Sequence, residues 1–277
     1  MEAQSWRMKR EQLRKPAALP EMALNLWSHR EILRNFIARS LKVKYHQSVL
    51  GYLWSLIEPL IYMGVYYFLF TILAGRPEPA YPLLILLGVL TWRLFSGLVQ
   101  ELSQALVRNG SLIKRVYFPR EVFLFASAGF HLAVYALSLL VVVPFLFYYR
   151  LAPTWRLAGL PAAVFLALML ALGVGFATSC LHPRARDTGE IVTLAVRIGF
   201  WFSPIIYTVD RVSASWRDLY LLNPMAVIIT LVRAAVTGQP GGLEPRHLAV
   251  TTGLSLAVFI AGAASFRRGQ ARAVKYL

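Results

Sequence analysis

Long apolar runs alternate with short polar connections along this chain. A helix crossing the hydrocarbon core needs about 20 predominantly apolar residues. Residues 52–74, 81–106, 122–149, 157–181, 191–209 and 246–266 meet that length, which predicts six spans. Over 52–74, 81–100, 122–149, 157–181, 191–209 and 248–266 these runs hold three charges, Glu58 beside Pro59, Arg93 and Arg197. A seventh apolar run, 219–232, is interrupted by Asn223-Pro224. Its length as helix is roughly 21 Å, short of the ~30 Å core. It predicts a re-entrant segment over 219–236, two half-helices broken at the Asn-Pro. Ahead of the spans, residues 24–45 repeat at helical spacing. Leu26, Leu33, Ile37 and Leu41 form one stripe with Phe36 beside it, and Ser28, Asn35, Arg39 and Lys42 fall opposite. This predicts an amphipathic helix in the cytoplasmic headgroup layer. Residues 1–23 are polar and basic, with Pro16 and Pro20, and read as a flexible cytoplasmic tail. The expected fold is all-α: a single transmembrane domain over 24–277, with six transmembrane helices, the interfacial helix and the re-entrant segment before the last span.

Composition agrees. Only 15% of residues are charged and 57% are hydrophobic, at a mean hydropathy of +0.55; soluble domains carry about 25% charged residues. A formal charge of +16 raises nucleic acid as a partner, so charge placement has to decide. With six spans and both termini inside, cytoplasmic pieces hold 20 of the 29 Lys and Arg. The outside connections hold 7: Arg76, Arg150, Arg156, Arg211, Arg217, Arg233 and Arg246. That bias fits the positive-inside rule and explains the charge without nucleic acid. Making 219–232 a full span would put Arg267, Arg268, Arg272 and Lys275 outside. Cys180 is the single cysteine, and the five histidines lie far apart, so no disulfide or metal cluster is expected. No G-x-x-x-x-G-K-[ST] loop occurs, so no phosphate cradle of that kind is expected here.

Four groups of residues stand out. Residues 109–121, NGSLIKRVYFPRE, form a short basic aromatic connection with a break at Phe118-Pro119. Aromatics with Arg are the usual anchors of an interface, so the stretch reads as a docking helix rather than a mere turn. Arg184–Glu190 is a weaker second contact, whose Arg186-Asp187 equally suits a local ion pair. Leu50-Gly51 marks the hinge into the first span, with Lys42, Lys44 and His46 around it at headgroup level. Glu58, Arg93 and Arg197 are expensive in a bilayer, and such residues face a bundle interior or water; a structural Glu58–Arg93 pair is the competing reading. Finally, Tyr62, Tyr66 and Phe70 recur every four residues, one turn beyond Glu58, while Arg197, Phe200 and Trp201 share one turn, with Tyr207 further out.

The order of these features resembles a known family. KYHQSVLGYLWSLIEPL (44–60) leads into the first span, NGSLIKRVYFPREV (109–122) joins the second and third, and RARDTGEIV (184–192) leads to FWFSPIIY (200–207). An Asn-Pro stretch precedes the last span. The chain from about residue 24 resembles the membrane subunit of ATP-binding-cassette exporters for lipid-linked polysaccharides: O-antigen, teichoic acid and capsule. The resemblance implies a homodimer of permeases in the bacterial cytoplasmic membrane with two copies of a separate ATPase. ATP and Mg would bind in that partner, and no cofactor in this chain. It implies ATPase coupling through Leu112, Ile113, Lys114, Arg115, Val116, Tyr117 and Phe118, with Arg186 and Asp187. An undecaprenyl-type lipid-linked glycan would enter near Lys42, Lys44, His46, Leu50 and Gly51, among membrane lipids. Rings hold sugar faces while letting them slide, so Glu58, Tyr62, Tyr66, Phe70, Arg197, Phe200, Trp201 and Tyr207 are expected to line the glycan path. Two other classes stay open. One is a permease of the same superfamily moving a drug or another lipid. The other is a membrane-embedded glycosyltransferase, which needs paired acids; the aspartates are Asp187, Asp210 and Asp218, with no Asp-x-Asp.

Overall fold

The computed structural model describes residues 19–46, 48–73, 80–115 and 119–273. Every regular element among them is helical. Two short helices, α1 (Leu19–Ser28) and α2 (Arg30–Tyr45), come first. Helix α1 therefore begins inside the stretch expected to be tail, and residues 1–18 lie outside the described residues. The first long helix runs from a 3-10 turn (Gly51–Leu53) through α3 (Trp54–Tyr67) into a π turn (Phe68–Leu73). Then follow α4 (Tyr81–Arg108), the short α5 (Gly110–Arg115), α6 (Glu121–Ser138) and α7 (Val142–Tyr148). The chain continues with α8 (Gly159–Leu181), α9 (Thr188–Trp201), α10 (Ala214–Tyr220), α11 (Pro224–Thr237) and α12 (Pro245–Ala273).

Five of these helical segments are long and apolar enough to cross a membrane: Gly51–Thr71, Tyr81–Arg108, Glu121–Tyr148, Trp155–Leu181 and Pro245–Gln270. A sixth arises if α10 and α11, bent by 101° at their break, count as one span. The bend has a local cause. Asn223 caps α11 by accepting the Met225 N–H at 3.0 Å, and Pro224 occupies the first turn, where its missing N–H costs nothing.

The expected span over 191–209 is corrected. Helix α9 stops at Trp201, and its 14 residues rise only about 21 Å. Pro204 explains the stop: it cannot donate to the Phe200 carbonyl, and it disfavours helical backbone at Ser203. Residues 203–206 then run irregularly and buried. Irregular backbone at that depth survives only when protein groups satisfy it. Arg233 does most of this, donating to the carbonyls of Leu84 (2.9 Å), Tyr207 (2.9 Å) and Ile205 (2.8 Å). Tyr81 adds a donor to the Ile206 carbonyl, and Asn223 Nδ2 donates to the Phe202 carbonyl. Arg233 was expected in an outside connection; it is instead a buried clamp, 6% exposed.

Other prolines are handled similarly. Pro59 sits inside α3 and leaves the Ser55 carbonyl without its helical donor; the Ser138 hydroxyl of α6 reaches that carbonyl at 3.1 Å. Pro144 falls within α7, and the chain before it tightens to a 3-10 turn at Leu139–Val141.

Helix α4 forms the centre, with Leu83, Ile85, Leu86, Leu87, Leu98, Leu102 and Leu106 fully buried. Helix α8 packs between α4 and α12. Its seam with α12 is a backbone contact: a Cβ on Gly262 would lie 2.0 Å from the Gly173 carbonyl oxygen. Small residues allow such approach between membrane helices. Gly262→Leu should therefore cost about 3 kcal/mol, the upper end of ordinary overpacking. Gly253→Leu, on the same helix but facing open space, should be near neutral. Thermal unfolding of the two purified variants compares them directly, and equal midpoints would contradict this seam.

The apolar stripe of α2 docks on α6 rather than only on lipid. Phe36 meets Phe123 edge-on at 5.1 Å, and a Cβ on Gly129 would fall 2.5 Å from Ile37. Asn25 of α1 donates to Glu121 at 3.0 Å, at the start of α6.

Candidate functional site

Helices α3, α4, α6 and α9, with the end of α2, line an open cavity of about 710 Å3. Each helix turns one face toward it, at the spacing of three to four residues that a single face allows. From α3 come Ser55, Glu58, Tyr62 and Tyr66; from α4, Arg93, Gly97 and Gln100; from α6, His131, Tyr135 and Ser138; from α9, Thr193, Arg197, Phe200 and Trp201.

One wall is aromatic. Tyr62 stacks on Tyr66 at 6.4 Å, Tyr66 meets Phe200 at 5.7 Å, and Phe200 contacts both Trp201 (5.4 Å) and Trp92 (6.2 Å). The rings thus run continuously from α3 to α9. Elsewhere the lining is charged. Arg93 Nη2 pairs with Glu58 Oε2 at 2.5 Å, while Arg93 Nη1 has no hydrogen-bond partner. Arg197 has no ion pair or hydrogen bond among the described residues. Lys44 lies over the rings of Tyr45 and Phe130, both at 5.5 Å, and reaches the same cavity. Desolvation, and then the Arg93 charge, hold its pKa below the ordinary lysine value, against the opposing pull of Glu58 and Glu101. Behind the lining, Glu101 accepts from Ser127 (2.7 Å) and pairs with His131 Nε2 (2.9 Å).

Of the expected path residues, the fold brings together Glu58, Tyr62, Tyr66, Arg197, Phe200 and Trp201. It does not place Phe70 or Tyr207 on this lining. Phe70 lies in the π turn, packed on the core. Tyr207 donates to the Trp201 carbonyl and meets the Tyr220 hydroxyl, both at 3.1 Å. Of the expected entrance residues, Lys42, Lys44, His46 and Leu50 are all exposed, and Lys44 alone of these lines the cavity. Gly51 has φ +48°, a left-handed conformation suited to glycine at the hinge. Sequence reasoning missed Gln100, His131, Tyr135 and Ser138. Their signal was a polar face at helical spacing on the second and third spans.

For the docking stretch, Ile113 is half-buried and Lys114 exposed on α5. Val116, Tyr117 and Phe118 lie outside the described residues, as do the side chains of Leu112 and Arg115. Arg186 and Asp187 are both exposed, and no ion pair joins them. Among the described residues no group of His, Cys, Asp and Glu is arranged to hold a metal ion.

Fold and cavity together define a polytopic helical membrane protein with a polar, ring-walled open cavity between its helices. Residues 33–237 match the family described as ABC-2 type transporter, and the chain belongs to that family of transporter permease subunits. Among curated proteins it is similar to the O-antigen export system permease protein RfbA of Klebsiella pneumoniae, 28% identical over 76% of this chain and 81% of the relative. It resembles the Myxococcus xanthus protein of the same name at 29% identity over 76% and 81%. The polysialic acid transport protein KpsM of Escherichia coli is 22% identical over 80% and 88%.

Proposed function

We propose that this chain is the membrane subunit of an exporter carrying lipid-linked polysaccharide, of O-antigen or teichoic-acid type, across the bacterial cytoplasmic membrane. The observation that carries the reading is the unbroken run of rings from Tyr62 to Trp201 on one cavity wall. Rings offer flat apolar faces to sugar C–H groups, and Tyr and Trp add a hydrogen-bonding tip. A chain of sugars can be held there without being fixed. The names of the relatives support the same cargo. Depleting the protein from its bacterium should make lipid-linked glycan accumulate on the cytoplasmic side, and re-expression should clear it. Depletion without accumulation would count against the reading.

ATP hydrolysis, with its Mg, belongs in this scheme to a cytoplasmic ATPase present in two copies. A second copy of this chain completes the path. The exposed apolar side chains of Ile61 and Val65 on α3, with Phe68 in the π turn, and of Leu194 and Ile198 on α9, with Phe202 just beyond it, support such pairing. Both termini and the docking stretch face the cytoplasm. An undecaprenyl-type carrier brings the glycan past α2, and closure of the ATPases pushes the connection after α4.

Coupling has its own test. Tyr117→Ala with Phe118→Ala should leave the permease inserted but weaken its association with the ATPase. Loss of buried aromatic anchors at an interface costs about 2 kcal/mol or more, so co-purification should fall by roughly thirtyfold. Full co-purification of the double variant would reduce this stretch to a turn.

A further inference from the structure

Most serine and threonine hydroxyls on the cavity lining are already bonded within the fold. Ser55 meets the Tyr45 hydroxyl, and Ser138 and Thr193 donate to carbonyls one turn back on their own helices, at 2.8 and 2.9 Å. Ser96 lines the same cavity and has no hydrogen-bond partner among the described residues. Nor has the side-chain amide of Gln100, one turn further along the same face of α4. His131 joins them from α6. A Cβ on Gly97 would lie 2.8 Å from His131 Cε1 and 3.2 Å from its Nδ1, so bare backbone between Ser96 and Gln100 is what admits the ring. His131 Nε2 meets Glu101 Oε2 at 2.9 Å, and Glu101 Oε1 accepts from Ser127 at 2.7 Å. That pair orients the ring and leaves Nδ1 without a partner among the described residues. All three free groups belong to half-buried residues on one stretch of the lining.

Taking the glycan-export reading as its basis, we propose that Ser96, Gln100 and His131 form a subsite for the hydroxyls of a neutral sugar, with Glu101 as the residue that positions His131. A serine hydroxyl and a primary amide each donate and accept, as sugar hydroxyls do. Nδ1 accepts in a neutral ring and donates in a charged one, and a hydroxyl suits either. An apolar segment passing here would leave all three groups without partners, and each missing hydrogen bond has its cost. The Arg93–Glu58 pair lies elsewhere on the lining, because Gln100 stands about 10 Å along α4 from Arg93. Lys44, over the neighbouring Phe130 ring, makes an anion the rival occupant. The aromatic wall and the subsite then divide the work. Rings take the apolar face of any sugar, whereas bonds to hydroxyls depend on where those hydroxyls are. A site built on such bonds rejects a sugar that lacks them far more sharply than an apolar surface does.

The test uses the full-length permease, co-purified with its ATPase in nanodiscs. Diethyl pyrocarbonate acylates a free imidazole nitrogen, and mass spectrometry reads the modification at His131. The probe is the bacterium's own surface glycan, released from its lipid. It is set against the same glycan with its hydroxyls methylated, and against inorganic diphosphate. His131 should be modified when no glycan is added and protected at least threefold by the released glycan, and by neither comparator. Gln100→Leu and Ser96→Ala should each raise the glycan concentration for half-protection about fivefold, the worth of one neutral hydrogen bond. Glu101→Leu should do the same, and Glu101→Gln should restore most of the loss, because an amide still holds the ring. Melting curves of each variant separate unfolding from lost contacts, and Gln100→Met takes the place of Gln100→Leu if that variant does not fold. The subsite is overturned by an unmodified His131 without glycan, by equal protection from the methylated glycan, or by unchanged half-protection in Gln100→Leu and Ser96→Ala. Protection by diphosphate makes it an anion site instead. A Glu101→Gln no better than Glu101→Leu removes Glu101 from its positioning role. The two proposals fail separately. Glycan accumulation on depletion without protection of His131 sinks only this subsite, whereas protection without accumulation sinks only the export reading.

Discussion

Arg233→Met should destabilise the segment around residues 202–208 as strongly as the largest single losses from the apolar core. Two carbonyls outside the helices, on Ile205 and Tyr207, depend on that guanidinium, which also meets the Leu84 carbonyl of α4. At 6% exposure the site is shielded from bulk water that could replace the donors. Each orphaned buried polar group costs about 1–3 kcal/mol, so the total is on the order of 2–6 kcal/mol, a large part of the stability of a domain. Methionine keeps the apolar stem and so isolates the loss of donors. Arg233→Lys should recover only part, because an ammonium on a single stem cannot reproduce a three-way fork. Gly88→Ala should act in the same direction, since its Cβ would stand 2.8 Å from the Ile205 carbonyl oxygen and 3.0 Å from Arg233 Nη2. Thermal unfolding in detergent, with cell-membrane levels alongside, measures the effect. A methionine variant melting at the wild-type temperature would show that residues 202–208 hold their course by other means.

Changing Tyr62, Tyr66 and Trp201 together to Leu should shorten the exported glycan without removing the permease from the membrane. Leucine retains apolar bulk and abolishes the flat ring face. Ring contacts are worth about 1 kcal/mol each, so losing three weakens the grip on the sugar chain by roughly a hundredfold. Single changes should give graded losses, because Tyr62 and Tyr66 stack on each other while Trp201 reaches the same run only through Phe200. The length distribution of surface glycan on a gel measures the result, with permease abundance measured in parallel. A normal ladder from the triple variant would remove these rings from the path.

The spans were readable because length and apolarity suffice to define a crossing helix. The face shared by Glu58, Tyr62 and Tyr66 was readable because α3 keeps one helical phase through its cavity-lining turns. Apolar counting failed where chemistry outranked it. Pro204 sits in plain view within 191–209, yet a count of apolar residues runs straight through it. Arg233 looked like a loop charge because it lies five residues before Gly238, the left-handed cap of α11. Its partner Leu84 is 149 residues away in sequence, and no local pattern signals that contact. Gln100, His131 and Ser138 fall between these cases: their spacing was visible, but which helix faces converge is decided by packing. The same holds for Lys44, one of several basic residues on α2 and the one that lines the cavity.

The shortness of α9 bears on what a hydrophilic polymer experiences. At about 21 Å, this wall covers roughly two-thirds of a ~30 Å hydrocarbon layer. Beyond Trp201 no helix continues: residues 203–206 are buried, irregular backbone held in place by Arg233 and its neighbours. The helical height of this wall is therefore set by fourteen residues of one helix rather than by the thickness of a bilayer.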